Sequence, residues 1–147
     1  MTGVPLRDLH ACFEGVIPSI IATVDAAGVP NISYLSHVHY VDDDHVALSN
    51  QYFTKTSANV RDRGTAALIV VDGRSGRQYL LDIAFVSSHR EGALFERMSD
   101  HLNAMSSRQG MSDIMALRSA DLYRVLSCEA VPAVEAGEEP VAAPPDA

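Results

Sequence analysis

The residues best suited to hold a ligand are Thr54-Lys55-Thr56-Ser57. Lys55 is the sole lysine of a 147-residue chain with formal net charge −8, and it stands where an extended run gives way to a helical pattern. A helix that begins at Lys55 presents unpaired backbone N–H groups and the positive end of its dipole, an arrangement that suits a phosphate. Lys55 adds a point charge there, and Thr54, Thr56 and Ser57 add neutral donors. Five of the eleven basic residues, Lys55, Arg61, Arg63, Arg74 and Arg77, fall within 23 residues, opposed only by Asp62 and Asp72. The local charge therefore runs against the global one. The plainer reading is that Thr54 caps the helix and Lys55 extends into solvent. The P-loop spacing G-x-x-x-x-G-K-[ST] is absent.

Other residue sets offer other chemistries. His37 and His39 share a strand face, and with His45 and Asp42 to Asp44 they could bind a divalent metal. The plainer reading is a solvated turn beside partly buried histidines, so no metal site is assigned. The EF-hand pattern is missing. No G-x-S-x-G occurs, and the Ser, His and Asp residues have no spacing diagnostic of a triad. Cys12 and Cys128 stand far apart outside any CxxC or metal spacing, which predicts two idle thiols.

Short apolar runs divided by turn residues must position these groups. VIPSIIATVD (Val16 to Asp25) is rich in β-branched residues and runs into Gly28 and Pro30, which predicts a hairpin. Asn31 to Val41 alternates with the period of a single strand, Ile32, Tyr34, Ser36, Val38 and Tyr40 on one face, Ser33, Leu35, His37 and His39 on the other. His45 to Asn50, Thr65 to Asp72 and Arg77 to Ser88 read as further strands, and Asp121 to Pro132 as a last extended piece. A helix is predicted over Thr54 to Arg63, with Gly64 as its stop. Ser88 and Glu91 make an S-x-x-E capping box, followed by a helical stripe of Ala93, Leu94, Met98, Leu102 and Met105, so both methionines are expected in the core. Strands joined by tight turns predict a mainly β, antiparallel barrel or sandwich.

Composition bounds the class. The apolar share is 47% and the charged share 20%, as in an ordinary globular protein, and no run of about 18 apolar residues could cross a bilayer. The acidic balance and a pI near 5.0 argue against a nucleic-acid surface. No secretory leader is readable at the N-terminus, so a cytoplasmic location is expected. Residues 1–133 read as one domain, and from Val134 the Pro-, Ala- and acid-rich segment reads as a disordered tail or linker.

The order ATVDAAGVPNISYLSHVHYVDDDHVALSN, then TKTSANV, a strand and RQ, resembles the FMN-binding split-barrel family typified by pyridoxamine 5'-phosphate oxidase, from roughly Leu6 to Pro132. The resemblance lies in the order of several weak motifs. It implies an antiparallel split β-barrel with two or three flanking helices, and a homodimer with FMN in the groove between subunits. It also implies roles for particular residues: Lys55 as the phosphate cation with Thr54 and Thr56 beside it, Tyr34, Leu35 and Ser36 flanking the flavin, Ser49 and Asn50 where the third strand ends, and Gln78 reaching the cofactor. Tyr52 and Phe53 would pack the barrel or cover the flavin. Haem, through the histidines, and deazaflavin are alternative cofactors of similar barrels. Ser33 replaces an arginine that binds phosphate in the oxidases, Val38 replaces a lysine near the ring, and the C-terminal substrate motif is missing. The expectation is therefore a flavin-dependent oxidoreductase of an unidentified small molecule, with pyridoxamine phosphate excluded. The alternatives are a non-catalytic flavin, haem or deazaflavin sensor module and a cofactor-free barrel that dimerises.

Overall fold

The protein is described by a computed structural model over residues 2–51, 53–109, 116–133 and 142–146, with side chains omitted at 106–109. The predicted tail therefore falls largely outside the described residues, as does Tyr52. The chain forms a short strand β1 (Thr2–Gly3), two 3-10 turns (Leu6–Asp8 and His10–Cys12), then β2 (Ser19–Val24), β3 (Pro30–Leu35), β4 (Val38–Asp42) and β5 (His45–Asn50). Helix α1 (Lys55–Arg63), β6 (Thr65–Val71), β7 (Gln78–His89), α2 (Ala93–Gln109) and β8 (Ser119–Ala130) follow. The strands make one sheet in the order β3-β2-β6-β7-β8-β5-β4, with β1 added in parallel on β8 and every other pairing antiparallel. The sheet curls without closing, so the fold is a mainly β split barrel with flanking helices.

The two-residue period of the strands builds the core. Ile21, Leu68, Leu81 and Cys128 stand opposite one another across β2, β6, β7 and β8, and all four are fully buried. Helix α2 lays Met98 and Leu102 inward, Met98 against Ala47 and Ala120, as its apolar stripe predicts. The hairpin at Asp25 forms because the Asp25 carboxylate accepts the N–H groups of Ala27 and Val29, each at 2.9 Å. Gly64, at φ +74°, ends α1 in the left-handed region and donates its N–H to Val60 O.

Three local expectations need correction. The run Asn31 to Val41 is two strands, broken at Ser36 and His37. The break lets Leu35 and Val38, which a continuous strand would place on opposite faces, both enter the core. The turn is fixed by β5, since Ser49 N donates to His37 O and His37 N donates to Ser49 Oγ, both at 3.1 Å. Ser88 lies within β7 and donates to Asp121, so it is not the start of a capping box; α2 begins after Gly92. Thr54 holds the N-cap position, but its side chain caps nothing.

Candidate functional site

The start of α1 lies at the split of the barrel, beside edge strand β3. Asn31 Nδ2 donates to Thr56 Oγ1 at 3.0 Å, and Ser33 Oγ lies 3.4 Å from the same oxygen. Asn59 Nδ2 donates to Thr23 Oγ1 at 3.1 Å, and Arg63 Nε to Asp25 O at 3.0 Å. These bonds clamp one face of α1 onto β2 and β3. They also employ the Thr56 hydroxyl, which is buried, so its side chain serves the helix–strand joint.

The helix start itself is open. Thr54 has φ −106° and ψ −62° and makes no side-chain cap bond, and the first backbone bond into the helix is Ala58 N to Thr54 O at 3.1 Å. The preceding N–H groups have no carbonyl one turn back to receive them. Thr54 and Lys55 are exposed, and no carboxylate among the described residues pairs with the Lys55 ammonium. An uncapped helix start with an exposed ammonium fits an anionic group such as the terminal phosphate of FMN.

The other predicted residues fall into two groups. Tyr34 and Leu35 end β3, and Ser36 follows in the break before β4. Tyr34 is 75% exposed, whereas Leu35 is buried in the core and Ser36 Oγ donates to Gln51 Oε1 at 2.8 Å. Ser49 is buried under the His37 turn. Asn50 is engaged at every polar atom: Nδ2 donates to Ser57 Oγ and Asp121 Oδ2, both at 3.2 Å, and Oδ1 accepts Phe53 N at 3.3 Å. It fixes the entry into α1. Gln78 opens β7 at the end remote from α1, yet it shares the outer sheet face with Leu80 and, across β2 and β6, with Tyr34. Within one chain α1 meets β3 through Thr56 with Asn31 and Ser33, whereas Tyr34 and Gln78 share the outer sheet face and Leu35 lies in the core.

His39 and His101 gather around His37, with the His39 and His37 ring centroids 5.8 Å apart. His45 Nδ1 lies 2.9 Å from Asp42 Oδ1 in the β4–β5 turn, and His37 is buried with its ring stacked on His101 at 4.0 Å between centroids. Burial, with His101 and His39 nearby, lowers the His37 pKa to about 3, and burial with Arg97 and His101 lowers that of His39. No group of three or more His, Cys, Asp or Glu side chains among the described residues could hold a metal.

Two features were not found by reading the sequence. The outer face of β3, β2, β6 and β7 leaves Ile32 70% exposed beside Tyr34, Val24 and Leu80, and a shallow groove of about 460 Å³ runs past Ile32, Val24 and Leu126. On the far side of α1, a cavity of about 310 Å³ is lined by Arg61, Arg90 and Arg118. Arg61 belongs to the basic cluster visible in the sequence, but no local signal joins Arg90 to Arg118.

Fold and helix start together define a split-barrel protein whose α1 begins uncapped beside an exposed ammonium. The pyridoxamine 5'-phosphate oxidase family matches residues 7–126, and the chain belongs to that family. An FMN-binding protein from Syntrophomonas wolfei subsp. wolfei has a similar structure, with a TM-score of 0.71 and 17% identity over 89% of this chain and 90% of that one. HupZ from Group A Streptococcus gives a TM-score of 0.62 and 20% identity over 87% of this chain and 92% of its own. An F420 reductase gives 0.58 and 15% identity over 80% and 93%. No match is found among the curated proteins.

Proposed function

We propose that this chain binds FMN at the α1 start and β3, acts as a homodimer, and serves as a flavin-dependent oxidoreductase for a small molecule other than pyridoxamine phosphate. The observation that carries the reading is the uncapped start of α1 with Lys55 exposed beside it. The family match and the similarity to an FMN-binding protein support the choice of anion. Lys55 and the first-turn N–H groups would hold the phosphate, Thr54 would lend a hydroxyl, and the β3 edge would present its backbone and Tyr34 to the ring. FMN, when bound, supplies hydride and single-electron chemistry, so the chain needs no nucleophile of its own. The protein's part is to bind and orient the cofactor and to admit a substrate.

The apolar outer face supports a second subunit. A face exposing Ile32, Tyr34, Val24 and Leu80 is unusual for an isolated chain, and covering it with another copy would give the flavin a second wall. Gln78, remote from α1 in its own chain, would then reach the cofactor from the partner's side. Val38 stands where the resemblance puts a ring-side lysine in the oxidases, and its burial in the core supports excluding pyridoxamine phosphate as substrate. The loss of that lysine equally favours a second reading, a cofactor-holding module without turnover. Anaerobic bleaching of the bound flavin by NADH or NADPH separates the enzyme from that module.

The Lys55→Ala variant tests the site. Removing a hydrogen bond to a charged group costs about 1.5–3 kcal/mol, so FMN affinity is expected to fall roughly 10- to 160-fold by fluorescence titration. Lys55→Arg should retain most of it. Unchanged affinity in Lys55→Ala would remove Lys55 from the site.

A further inference from the structure

We propose that the cavity between α1, the end of β7 and the start of β8 is a second anion site, which takes a small phosphate monoester with a planar apolar body. Arg61, Arg90 and Arg118, all three exposed, line one space of about 310 Å³, and Arg61 Nε donates to Ser57 O at 3.3 Å. None of them has an ion-pair partner among the described residues, where the ion pairs are Arg7–Asp43, His45–Asp42 and Arg74–Glu14. Among the described residues, the carboxylate on the wall is Asp121. It is already committed, because Oδ1 accepts Ser88 Oγ at 2.7 Å and Ser119 Oγ at 2.8 Å, and Oδ2 accepts Asn50 Nδ2 at 3.2 Å. The cavity thus carries an excess of positive charge in a chain of net charge −8. An anion in it would take paired N–H bonds from the planar guanidinium forks.

The rest of the wall defines the body of the ligand. Phe53, Val60, Phe85 and Tyr123 supply an apolar side, with Phe85 and Tyr123 edge to face at 5.5 Å between centroids. Flat aromatic surface next to a basic rim suits a ring bearing a phosphate. The volume lies at the small end of ligand pockets, which run to about 300–1,000 Å³. The cavity shares Asn50 and Ser57 with the start of α1 but faces a different side of the helix from Lys55. Phe53, Ser57, Val60 and Arg61 follow helical spacing on one side of α1, and Lys55, two residues before Ser57, points roughly 160° away around the helix.

The test uses the full chain and phenyl phosphate as probe, with inorganic phosphate and phenol alongside, observed by amide NMR shifts. Phenyl phosphate is expected to shift the amides of Arg61, Arg90 and Ser119 saturably, and more tightly than either fragment. The Arg90→Gln, Arg118→Gln double variant should weaken phenyl phosphate at least about tenfold while FMN affinity stays as in the native chain, and Lys55→Ala should do the reverse. Lysine at both arginine positions, which keeps charge but loses the fork, should bind with intermediate affinity. Phenol binding as tightly as phenyl phosphate, cavity amides that do not move, or native affinity in the double variant would overturn the proposal. FMN displacing phenyl phosphate, with both lost in Lys55→Ala, would overturn it too, by making the cavity part of the flavin site.

Discussion

Acidification is expected to destabilise the fold steeply well above the range in which carboxylates titrate, with His37 as the main cause. The His37 ring is 3% exposed, is stacked on His101 at 4.0 Å and lies 5.8 Å from His39, and neither ring nitrogen has a hydrogen-bond partner among the described residues. Burial, then the neighbouring His101 and His39, lowers its pKa from the ordinary 6.5 to about 3. Between those values the unfolded chain binds a proton that the folded chain refuses. Stability is therefore intact above pH 6.5 and is lost as the pH falls toward about 3. The slope for one such group approaches about 1.4 kcal/mol per pH unit. His39 is lowered as well, by burial, Arg97 and His101, and adds in the same direction. Carboxylates act later: Asp72, held low by the backbone N–H groups of Arg74 and Ser75, loses its contribution only below its ordinary 3.8. Urea unfolding at about pH 7, 6 and 5 isolates the histidines, and His37→Phe, which preserves the stacked ring, should flatten most of the slope. An equal slope in that variant would clear His37.

Asp121→Ala is expected to cost about 3–6 kcal/mol, reckoned at about 1.5–3 kcal/mol for each of the two hydrogen bonds from Ser119 and Asn50, since exposed Ser88 regains water. The carboxylate is 8% exposed and gathers Ser88 of β7, Ser119 of its own strand and Asn50 of β5. Asn50 in turn holds Ser57 and Phe53 N at the entry to α1. Loss of Asp121 therefore reaches the helix start, and FMN affinity should fall along with the urea midpoint. Asp121→Asn keeps one acceptor oxygen and the side-chain volume, so it should lie between the two. A variant with native stability would show that the ends of β5, β7 and β8 are held by their ladders alone.

Much of this framework was legible because it is local. β-Branched runs gave the strands, Gly28 and Pro30 the first hairpin, Gly64 the end of α1, and the spacing of Leu94, Met98 and Leu102 the buried stripe of α2. Failures arose where distant residues decide. The break at Ser36 and His37 is set by hydrogen bonds from Ser49 on β5, and nothing in the alternation of Asn31 to Val41 announces it. Ser88 matches a helix-start pattern, but Asp121, 33 residues later, takes its hydroxyl into the sheet. Of the candidate site, Lys55 and the α1 start were readable from charge and helix punctuation. Arg90 and Arg118 were not, since only the adjacency of β7 and β8 places them at one cavity.

The central claim is that the open start of α1 holds FMN, and the visible absorption spectrum of the purified protein, continued as a titration with FMN, tests it most directly. The bands of oxidised flavin are expected, or their saturable appearance with quenched fluorescence as FMN is added. A colourless protein that FMN fails to titrate, or a Soret band in place of flavin bands, would contradict it.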